Sequence, residues 1–399
     1  MKNFVIISPH FPDTFHRFVQ ALKNNGFRTL GIGDSPYDKL PKELYSCLDE
    51  YYGCWDMGNF ENEVKAVRYF EEKYGHIDYL ESNNEFWLER DAKLRDIFHI
   101  DTGVGYEKIQ MYQHKSLMKE GYKKAGAKTA AFILIDTFEN ALKFAKKVGY
   151  PIFIKPDYGV GAQGDFKIKN EEDLKHFFEV KDSGTTYICE QYITGNIISF
   201  DGVADSNSNV VFCASNFFPP SIADVVEEHK DVFYYTLPEV PKDLLKLGKK
   251  VVKAFEVKKR FFHMEFFRLT EDAPGVGKVG DIVPLETNMR PAGGYTPDLI
   301  NFANSVNCYQ IWADVMAFDE VRHDYSGLPH YFAGCASRRD EHAYVNSDEE
   351  VLAKYKDKIA AHGRYAKVIA TAMGDRYFMG KFDTIKEMEE FRDFVELRK

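Results

Sequence analysis

The chain has 399 residues, the length of two or three ordinary domains. It carries 52 Lys and Arg residues against 62 Asp and Glu residues, so its formal net charge is −10, and it has no basic block. This balance argues against a partner with a phosphate backbone, so we expect no binding to nucleic acid. Apolar residues make up 44% of the chain and charged residues 29%, which excludes a disordered or collagen-like protein.

Apolar runs in the chain are short. None reaches the roughly 18 residues of a membrane helix, and the run near the N-terminus stops at Pro9 without a cleavage motif. The sequence therefore predicts neither a membrane protein nor a signal peptide. The six cysteines are scattered and form no CxxC pair, so we expect free thiols in a reducing cytoplasm.

Strands and helices alternate in the first part of the chain. Apolar runs predict strands at residues 4–8, 28–32 and 77–80, and helical periodicity predicts helices at 15–22 and 61–74. This alternation is typical of a small parallel sheet covered by helices. The turn after the first strand contains no glycine, so the region is predicted to be Rossmann-like in shape but without a pyrophosphate cradle.

Helices and strands also alternate, less regularly, through the rest of the chain. The further predicted helices cover residues 110–125, 138–148, 244–255, 349–360 and 385–397. The further predicted strands cover residues 130–135, 150–155, 165–169, 187–190, 197–204, 209–214, 261–269, 282–288 and 368–372. The chain is therefore predicted to be an α/β protein with an α+β central part.

A glycine-rich loop lies between two of these predicted strands. Gly159, Gly161 and Gly164 match the string G-x-G-x-x-G, but a strand-like segment follows instead of the helix that a dinucleotide fold needs. Such a loop can close its backbone N–H groups over phosphates, and Lys155 just before it would add a positive charge. The alternative is a surface hairpin with an exposed lysine.

The segment Glu286-Thr287-Asn288-Met289-Arg290 carries the strongest chemical signal. Residues two apart on a strand share a face, so Glu286, Asn288 and Arg290 would project together. Burying this set without a ligand is costly, whereas it suits a divalent cation and a phosphate. Glu265 would pair with Glu286 across the sheet and supply a second carboxylate. The alternative is a structural ion pair between Arg290 and Glu265.

With these motifs in order, the chain resembles the ATP-grasp superfamily of carboxylate–amine ligases, and more loosely its biotin-carboxylase-like and carbamoyl-phosphate-synthase-like members. The resemblance covers about residues 105–300 and includes His114-Lys115-Ser116 and the hinge-like Glu190-Gln191-Tyr192-Ile193. The ATP contacts that it implies are Lys115, Lys155, Gly159, Gly161, Gly164, Glu190 and Ile193. The implied ligands of Mg²⁺ or Mn²⁺ are Glu265, Glu286 and Asn288, and the implied catalytic residues are Arg290 and Lys155.

The same resemblance implies an organisation in four parts. An N-terminal Rossmann-like domain would cover residues 1–105, and a lid with the glycine-rich loop would cover 106–195. The ATP-grasp core with the metal site would cover 196–310, and a C-terminal α+β region would cover 311–399. Many relatives have a ribose-contacting glutamate soon after the hinge, but here Gly195 is followed by no such residue. The sequence therefore assigns no residue to that contact.

The implied activity is an ATP- and Mg²⁺-dependent ligation. The chain has no recognisable protein nucleophile, which fits a reaction in which the substrate carboxylate attacks ATP to give an acyl phosphate and ADP. An amine would then displace phosphate, and an amino acid is expected as one substrate. The partners are thus small molecules, without nucleic acid or membrane, and a homodimer is allowed. The alternatives are a carboxyphosphate-forming enzyme and a nucleotide-binding protein without turnover.

Three further features bear on the substrate site. His263 would be a base, a substrate contact or a structural residue of its strand. The loop at residues 82–85 would contact substrate or begin a helix. Residues 291–296 would line the carboxylate pocket with backbone N–H groups.

Overall fold

The computed structural model describes residues 1–159, 164–218 and 231–399. Three β-sheets and the helices packed on them form this part of the chain. The strands, β1 to β17 in chain order, are Asn3–Ile7, Arg28–Gly33, Glu50–Gly53, Tyr79–Glu81, Phe132–Leu134, Ile152–Pro156, Phe166–Ile168, Tyr187–Gln191, Gly195–Ala204, Val210–Ala214, Asn216–Phe218, Phe233–Thr236, Arg260–Leu269, Ile282–Asn288, Phe332–Arg338, Ile359–Arg364 and Arg376–Phe382.

The helices are spread along the whole described chain. The α-helices, α1 to α14 in chain order, are His16–Asn24, Lys42–Tyr45, Phe60–Tyr74, Leu88–Ile97, Tyr106–Ile109, Lys115–Lys124, Phe138–Val148, Glu171–Val180, Lys242–Ala254, Thr296–Asn304, Cys308–Phe318, Asp348–Lys354, Lys367–Met373 and Ile385–Glu396. Short 3₁₀-helices cover Asp13–Phe15, Tyr37–Lys39 and Gln110–Tyr112.

The first sheet is parallel, as predicted, with strand order β3-β2-β1-β4. All five residues of β1 are buried because helices cover both faces of this sheet. After β1 the chain adds β2 and then β3 on one side of the sheet. It then crosses over and adds β4 on the other side, so that β1 and β4 lie side by side. The loops that follow these two strands therefore meet at one crevice, the usual ligand position in an open parallel sheet.

The second sheet is antiparallel, with strand order β5-β8-β6-β7. Helices α7 and α8 cover it, and their apolar faces bury Phe144 and Phe177 against the sheet. Ile152 and Ile154 of β6 and Tyr187 and Cys189 of β8 belong to the same buried cluster. Strand β6 ends in Lys155 and Pro156, so the glycine-rich loop starts at the edge of this layer.

The third sheet has nine strands in the described chain, in the order β14-β13-β9-β11-β12-β15-β17-β16, with β10 paired to β9. Its strands come from both sides of residue 310, because β15 pairs antiparallel with β12 and with β17. The longest contact joins β9 and β13, which pair over ten residues each. This long antiparallel pair is the rigid support on which the candidate site lies.

The N-terminal sheet and the third sheet share one apolar core. Phe4 of β1 and Phe18 of α1 pack against Trp312 of α11, with ring centroids 5.7 Å and 5.1 Å apart. Phe261 of β13 belongs to the same buried cluster. The N-terminal sheet is thus packed firmly against the third sheet through this shared core.

Two predicted elements near the C-terminus differ from the structure. Residues 368–372, predicted as a strand, lie within helix α13, which ends at Gly374 with φ = 88°. The helix predicted for 349–360 ends at Lys354, and strand β16 begins five residues later. Helices α10 and α11 were not predicted; they are buried nearly all round, so they lack the one-sided periodicity that predicts a surface helix.

Membrane and disulfide features are absent from the described residues. Within the three described stretches no helix is long and apolar enough to cross a membrane. All six cysteines are free thiols, and five of them are buried.

Candidate functional site

Strands β13 and β14 place the predicted metal ligands side by side. Glu265 is the cross-strand partner of Glu286, and His263 is the partner of Asn288, so all four side chains lie on one face. The predicted pairing of the two glutamates is therefore confirmed. The side chains of Glu265 and Glu286 are 21% and 25% exposed, so their carboxylates are accessible. The space over this face, near Lys115, Lys155 and Arg290, is called the cleft below.

His263 joins two carboxylates on this face. Its Nδ1 lies 2.7 Å from Asp201 Oδ1 on β9, and its Nε2 lies 3.2 Å from Glu265 Oε1. Burial lowers the pKa of His263, but the two carboxylates outweigh it and raise that pKa to about 9. Asp201 is held in turn by hydrogen bonds from Ser199 and Asn216. His263 is thus a buried residue that orients Glu265. The sequence analysis left the role of His263 open.

Glu190 lies between two buried lysines. Its carboxylate forms ion pairs with Lys119 and, at 2.7 Å, with Lys155. Burial alone would raise the pKa of Glu190, but the two ammonium groups lower it to about 2. Lys119 was missed in the sequence although it lies four residues after Lys115, on the same face of helix α6.

The N-terminus of α6 brings Lys115 to the same cleft. Asp157 caps the helix, since Ser116 N donates to its Oδ1 at 2.7 Å and Lys115 N donates to its backbone oxygen at 2.9 Å. The Lys115 ammonium donates to Gly159 O at 2.9 Å and lies 3.7 Å from Glu286 Oε1. Lys115 thereby connects the loop after β6 with strand β14.

The glycine-rich loop is described only at its two ends. Gly159 and Gly164 have φ values of 127° and 81°, which favour glycine, and Gly161 lies outside the described residues. Asp165, which the sequence analysis did not single out, follows the loop. Burial raises the pKa of Asp165, and the charges of Lys155 and Lys115 lower it, so this carboxylate lies within electrostatic range of both lysines.

Arg290 forms a different ion pair from the one considered in the sequence. Its Nε donates to Glu85 Oε2 at 2.9 Å, and its Nη1 donates to Pro291 O at 3.0 Å. Glu265 pairs with His263 instead. The alternative interpretation, an ion pair between Arg290 and Glu265, is therefore wrong, because Arg290 pairs with Glu85. Through Glu85 the loop after β4 contacts the site.

The predicted hinge lies between β8 and β9. Gln191 N donates to Ala131 O at 2.8 Å, and Gln191 Nε2 donates to Pro274 O at 3.1 Å. Ile193 is partly buried against a small apolar cluster that contains Leu269. The hinge thus joins the second and third sheets next to Glu190.

The oxygen donors on β13 and β14 fit a hard divalent cation. Two facing carboxylates and one amide oxygen are the ligand types that Mg²⁺ prefers, together with substrate phosphates. Within residues 1–159, 164–218 and 231–399 no three His, Cys, Asp or Glu side chains form a metal-binding group by themselves. The set therefore suits a cation that is shared with a phosphate rather than one enclosed by protein.

Sequence comparison relates the middle of the chain to nucleotide-binding proteins. Residues 114–229 match the family model described as "Carbamoyl-phosphate synthase L chain, ATP binding domain". An L-arginine-specific L-amino acid ligase of Bacillus subtilis is 24% identical over 229 residues, which cover 56% of this chain and 53% of that protein. The chain thus spans about half the length of this curated relative, and less of the carbamoyl phosphate synthase large chains that it also matches.

Solved structures share the fold over nearly the whole chain. An L-amino acid ligase from Bacillus licheniformis superposes with a TM-score of 0.71 at 15% identity, over 98% of this chain and 96% of that one. The biotin carboxylase domain of a 2-oxoglutarate carboxylase from Hydrogenobacter thermophilus, solved with MgADP and bicarbonate, gives a TM-score of 0.70 at 16% identity, over 100% and 90% of the two chains.

The matched family model and the shared fold agree with the order of the motifs along the chain. Residues 114–229 of the chain match the ATP-binding domain family of the carbamoyl-phosphate synthase large chain, and the chain as a whole shares its fold with an L-amino acid ligase and a biotin carboxylase domain.

Proposed function

We propose that the protein is an ADP-forming ligase that joins a carboxylate to an amine through an acyl phosphate, with an amino acid as one substrate. The observation that carries this proposal is the shared face of Glu265, Glu286 and Asn288, opposite Lys155 and close to Arg290. This face supplies ligands for a cation and charges for a transferred phosphoryl group, but no protein nucleophile.

The residues of the cleft divide the work of binding ATP. Lys155 and Lys115 would neutralise its phosphates, with the backbone of the loop from Gly159 to Gly164 over them. Glu190 and the backbone near Ile193 would face the adenine. Glu265, Glu286 and Asn288 would hold Mg²⁺ or Mn²⁺, which when bound supplies charge neutralisation at the β- and γ-phosphates.

The substrate carboxylate is the nucleophile in this proposal. Its oxygen attacks the γ-phosphorus, the bond from that phosphorus to the bridging oxygen breaks, and ADP leaves. Arg290 and Lys155 stabilise the charge on the transferred group. The amine, after its ammonium form has lost a proton to solvent, attacks the acyl carbon with its nitrogen lone pair. The bond from that carbon to the phosphate oxygen breaks, phosphate leaves, and the nitrogen loses a second proton to the phosphate or to solvent to give the amide. The chain mainly positions and neutralises these groups.

The proposal is tested by a screen of ADP and phosphate release over a matrix of amino acids and other carboxylates against amines. With a competent carboxylate and no amine, hydroxylamine should trap a hydroxamate, and Arg290→Ala should lower this trapping by about 100-fold or more, because one charged donor to the transition state is lost. Formation of AMP and pyrophosphate would contradict the acyl phosphate and indicate an adenylate.

A second candidate function is that of a carboxyphosphate-forming enzyme. It is favoured by the family model, whose description names carbamoyl-phosphate synthase, and by the biotin carboxylase neighbour. In that case bicarbonate would be the carboxylate, and ADP release would depend on bicarbonate without any added amine. The same screen separates the two candidates when bicarbonate is included as one carboxylate.

We also propose the divisions at residues 105 and 195. They are supported by the first sheet, which uses residues 3–81, and by the second, which uses residues 132–191. The boundary predicted at residue 310 falls inside helix α11 and divides the third sheet, in which β12 pairs with β15. A homodimer is a further proposal. The biotin carboxylase neighbour was solved as a domain dimer, and light scattering of the purified chain would give the mass.

A further inference from the structure

Tyr158 joins the loop after β6 to helix α4 beside the first sheet. Its hydroxyl donates to Glu89 Oε2 at 3.0 Å, across 69 residues of sequence. Glu89 lies in the first turn of α4, and its other oxygen, Oε1, accepts from Lys93 Nζ at 2.6 Å. Each carboxylate oxygen of Glu89 therefore has one donor, and Tyr158 is the donor that comes from another part of the chain.

The protonation states of Tyr158 and Glu89 suit this contact. Burial, the hydrogen bond to Glu89 and the charge of Glu89 raise the pKa of Tyr158 to about 12, so its hydroxyl keeps the proton at neutral pH. Burial alone would raise the pKa of Glu89, but the hydrogen bonds from Lys93 and Tyr158 lower it. Glu89 is therefore an ionised acceptor, and a hydrogen bond to an ionised acceptor is stronger than one between neutral groups.

The backbone on both sides of Tyr158 holds Lys115. Lys115 N donates to Asp157 O at 2.9 Å, and Lys115 Nζ donates to Gly159 O at 2.9 Å. Tyr158 itself forms a β-bridge with His114, and the centroids of their rings lie 5.4 Å apart. A shift of Tyr158 would therefore displace the two carbonyl groups that fix Lys115.

Lys115 depends on this loop more than Lys155 does. Lys155 lies within β6, which pairs with β7 and β8, so strand pairing fixes its position. Lys115 is the first residue of α6, and its ammonium contacts Gly159 O and lies 3.7 Å from Glu286 Oε1. Of the two lysines that would neutralise the phosphates of ATP, Lys115 is thus the one that the loop around Tyr158 places.

We propose that Tyr158 is a positioning residue for Lys115. Its bond to Glu89 fixes the backbone at Gly159, and the oxygen of Gly159 in turn fixes the Lys115 ammonium beside Glu286. The inference rests on the proposed function in one respect, because it takes Lys115 as a phosphate contact. Without the Tyr158 hydroxyl, Lys115 would lose part of its preorganisation for the phosphates. The first sheet and its helices would thereby contribute to the phosphate site through Glu89.

The test measures binding of a non-hydrolysable ATP analogue with Mg²⁺ by calorimetry. Tyr158→Phe keeps the ring and should weaken binding by about 5-fold, less than for a direct charged contact because it acts through Lys115. Lys115→Met should weaken binding by about 10-fold or more. In the Lys115→Met background, Tyr158→Phe should cause no further loss, because the residue that it positions is gone. Equal losses in both backgrounds, or unchanged affinity in Lys115→Met, would overturn the proposal.

Variants of Glu89 test the partner of Tyr158. Glu89→Ala should weaken binding as much as Tyr158→Phe does, and the double variant should be no weaker than either, because the same bond is lost each time. Glu89→Gln still offers an oxygen to the Tyr158 hydroxyl and should stay within about 2-fold of wild type. Additive losses in the double variant would show that the two residues act separately and would contradict the proposal.

The matched control is Tyr69→Phe. Tyr69 OH donates to Glu50 Oε1 at 2.7 Å, and Lys73 Nζ contacts the same carboxylate, so α3 and β3 carry the same arrangement of tyrosine, glutamate and lysine. Tyr69→Phe should leave the affinity for the ATP analogue within about 2-fold of wild type. A loss equal to that of Tyr158→Phe would show a general effect of removing a hydroxyl and would overturn the proposal.

Failure of the proposed function and failure of this inference give different results. Absence of hydroxamate from every carboxylate in wild type would contradict the ligase, while calorimetry still reports whether Tyr158 acts through Lys115. Where hydroxamate forms, Tyr158→Phe should lower kcat/KM for ATP by about 5-fold and leave KM for the carboxylate within about 2-fold, since Lys115 would contact the phosphates. Unchanged affinity of Tyr158→Phe for the ATP analogue would overturn the inference whichever reaction the protein performs.

Discussion

Lys155 and Lys119 share one carboxylate, and this sharing determines what each lysine can do. The carboxylate of Glu190 neutralises both ammonium groups in a nearly water-free position. Burial lowers the pKa of Lys119 more than Glu190 raises it, whereas Glu190 and other carboxylates raise the pKa of Lys155. Lys155 is therefore firmly charged, which suits the proposed phosphate contact, and Lys119 would keep Glu190 neutralised if Lys155 turned to a ligand.

We expect Lys155→Met to weaken ATP binding with little loss of stability. Loss of one charged hydrogen bond to phosphate is worth about 1.5–3 kcal/mol, or about 10- to 150-fold in Kd. The fold should tolerate the change because Lys119 still pairs with Glu190. Calorimetric titration with ATP and thermal melting measure the two effects, with the exposed Lys146→Met as control. Unchanged ATP affinity would contradict this placement of Lys155.

Glu190→Gln, unlike Lys155→Met, should lower the free energy of unfolding of the chain. It leaves two buried ammonium groups without their carboxylate, at a cost of about 3–5 kcal/mol. The folded pKa of about 2 lies below the ordinary value of 4.5, so this stabilisation is complete above pH 4.5 and is lost as the pH falls toward 2. Urea unfolding of wild type and of Glu190→Gln should show a difference in the free energy of unfolding that decreases as the pH falls from 4.5 toward 2.

The control for Glu190→Gln is Glu171→Gln, an exposed partner of Lys175 whose removal should change stability by no more than about 0.5 kcal/mol. A gap between wild type and Glu190→Gln that stays constant from pH 7 to pH 2 would contradict the assigned pairing.

At the scale of elements, the pairing of β9, β13 and β14 determines the site. Asp201, His263 and Glu265 can meet because cross-strand partners in an antiparallel sheet share a face. The support for Glu265 thus runs from one strand to the next, with Asp201 fixed by Ser199 and Asn216.

His263→Ala should weaken the binding of a divalent cation by about 10- to 100-fold, because the residue that orients Glu265 is lost. Electron paramagnetic resonance of Mn²⁺, titrated in the presence of ADP, measures this affinity directly. The exposed His176→Ala is the control and should change nothing. Metal affinity equal to that of wild type would show that His263 only fills space in the sheet.

Sequence patterns identified those elements whose apolar residues follow a single simple period. Strand β14 and helix α7 have the predicted bounds, and the pairing of Glu265 with Glu286, which was predicted because Glu265 is a lone carboxylate on another predicted strand, is present. Helix α13 contains a β-branched run that favours a strand locally, and its packing in the folded chain overrides that preference. The contact between Glu85 and Arg290 was out of reach because no local pattern links residues 205 positions apart.

At the scale of the whole molecule, a buried ion network ties the N-terminal sheet to the core. Glu81 at the end of β4 accepts from Arg260 Nη2 at 2.9 Å, and Arg95 Nη1 lies 3.6 Å from its other oxygen. Arg260 also donates to the backbone oxygen of Met289, the residue that follows β14. Together with the apolar core around Trp312, this network makes the two sheets one structural unit.

We therefore expect Glu81→Gln to destabilise the whole chain rather than the first sheet alone. Two buried guanidinium groups lose their carboxylate, at a cost of about 3–5 kcal/mol. The midpoints of urea unfolding, measured by tryptophan fluorescence and by far-ultraviolet circular dichroism, should shift by the same amount, because the sheets share their core. The exposed Glu72→Gln should leave the midpoint unchanged. Separate shifts of the two signals would indicate that the domains unfold independently.

The free, mostly buried cysteines make the chain suited to site-directed labelling. Burial raises the pKa of Cys47 and of Cys213 to about 11 and that of Cys189 and of Cys335 to about 12. A thiol with a pKa of 11 is ionised in only about one molecule in ten thousand at pH 7, and the thiolate is the reactive form. Maleimide dyes should therefore react selectively with cysteines introduced at exposed positions such as Lys175→Cys and Lys386→Cys, without removal of any native thiol. Energy transfer between such dyes would follow the distance from the second sheet to the C-terminal helix as nucleotide is added.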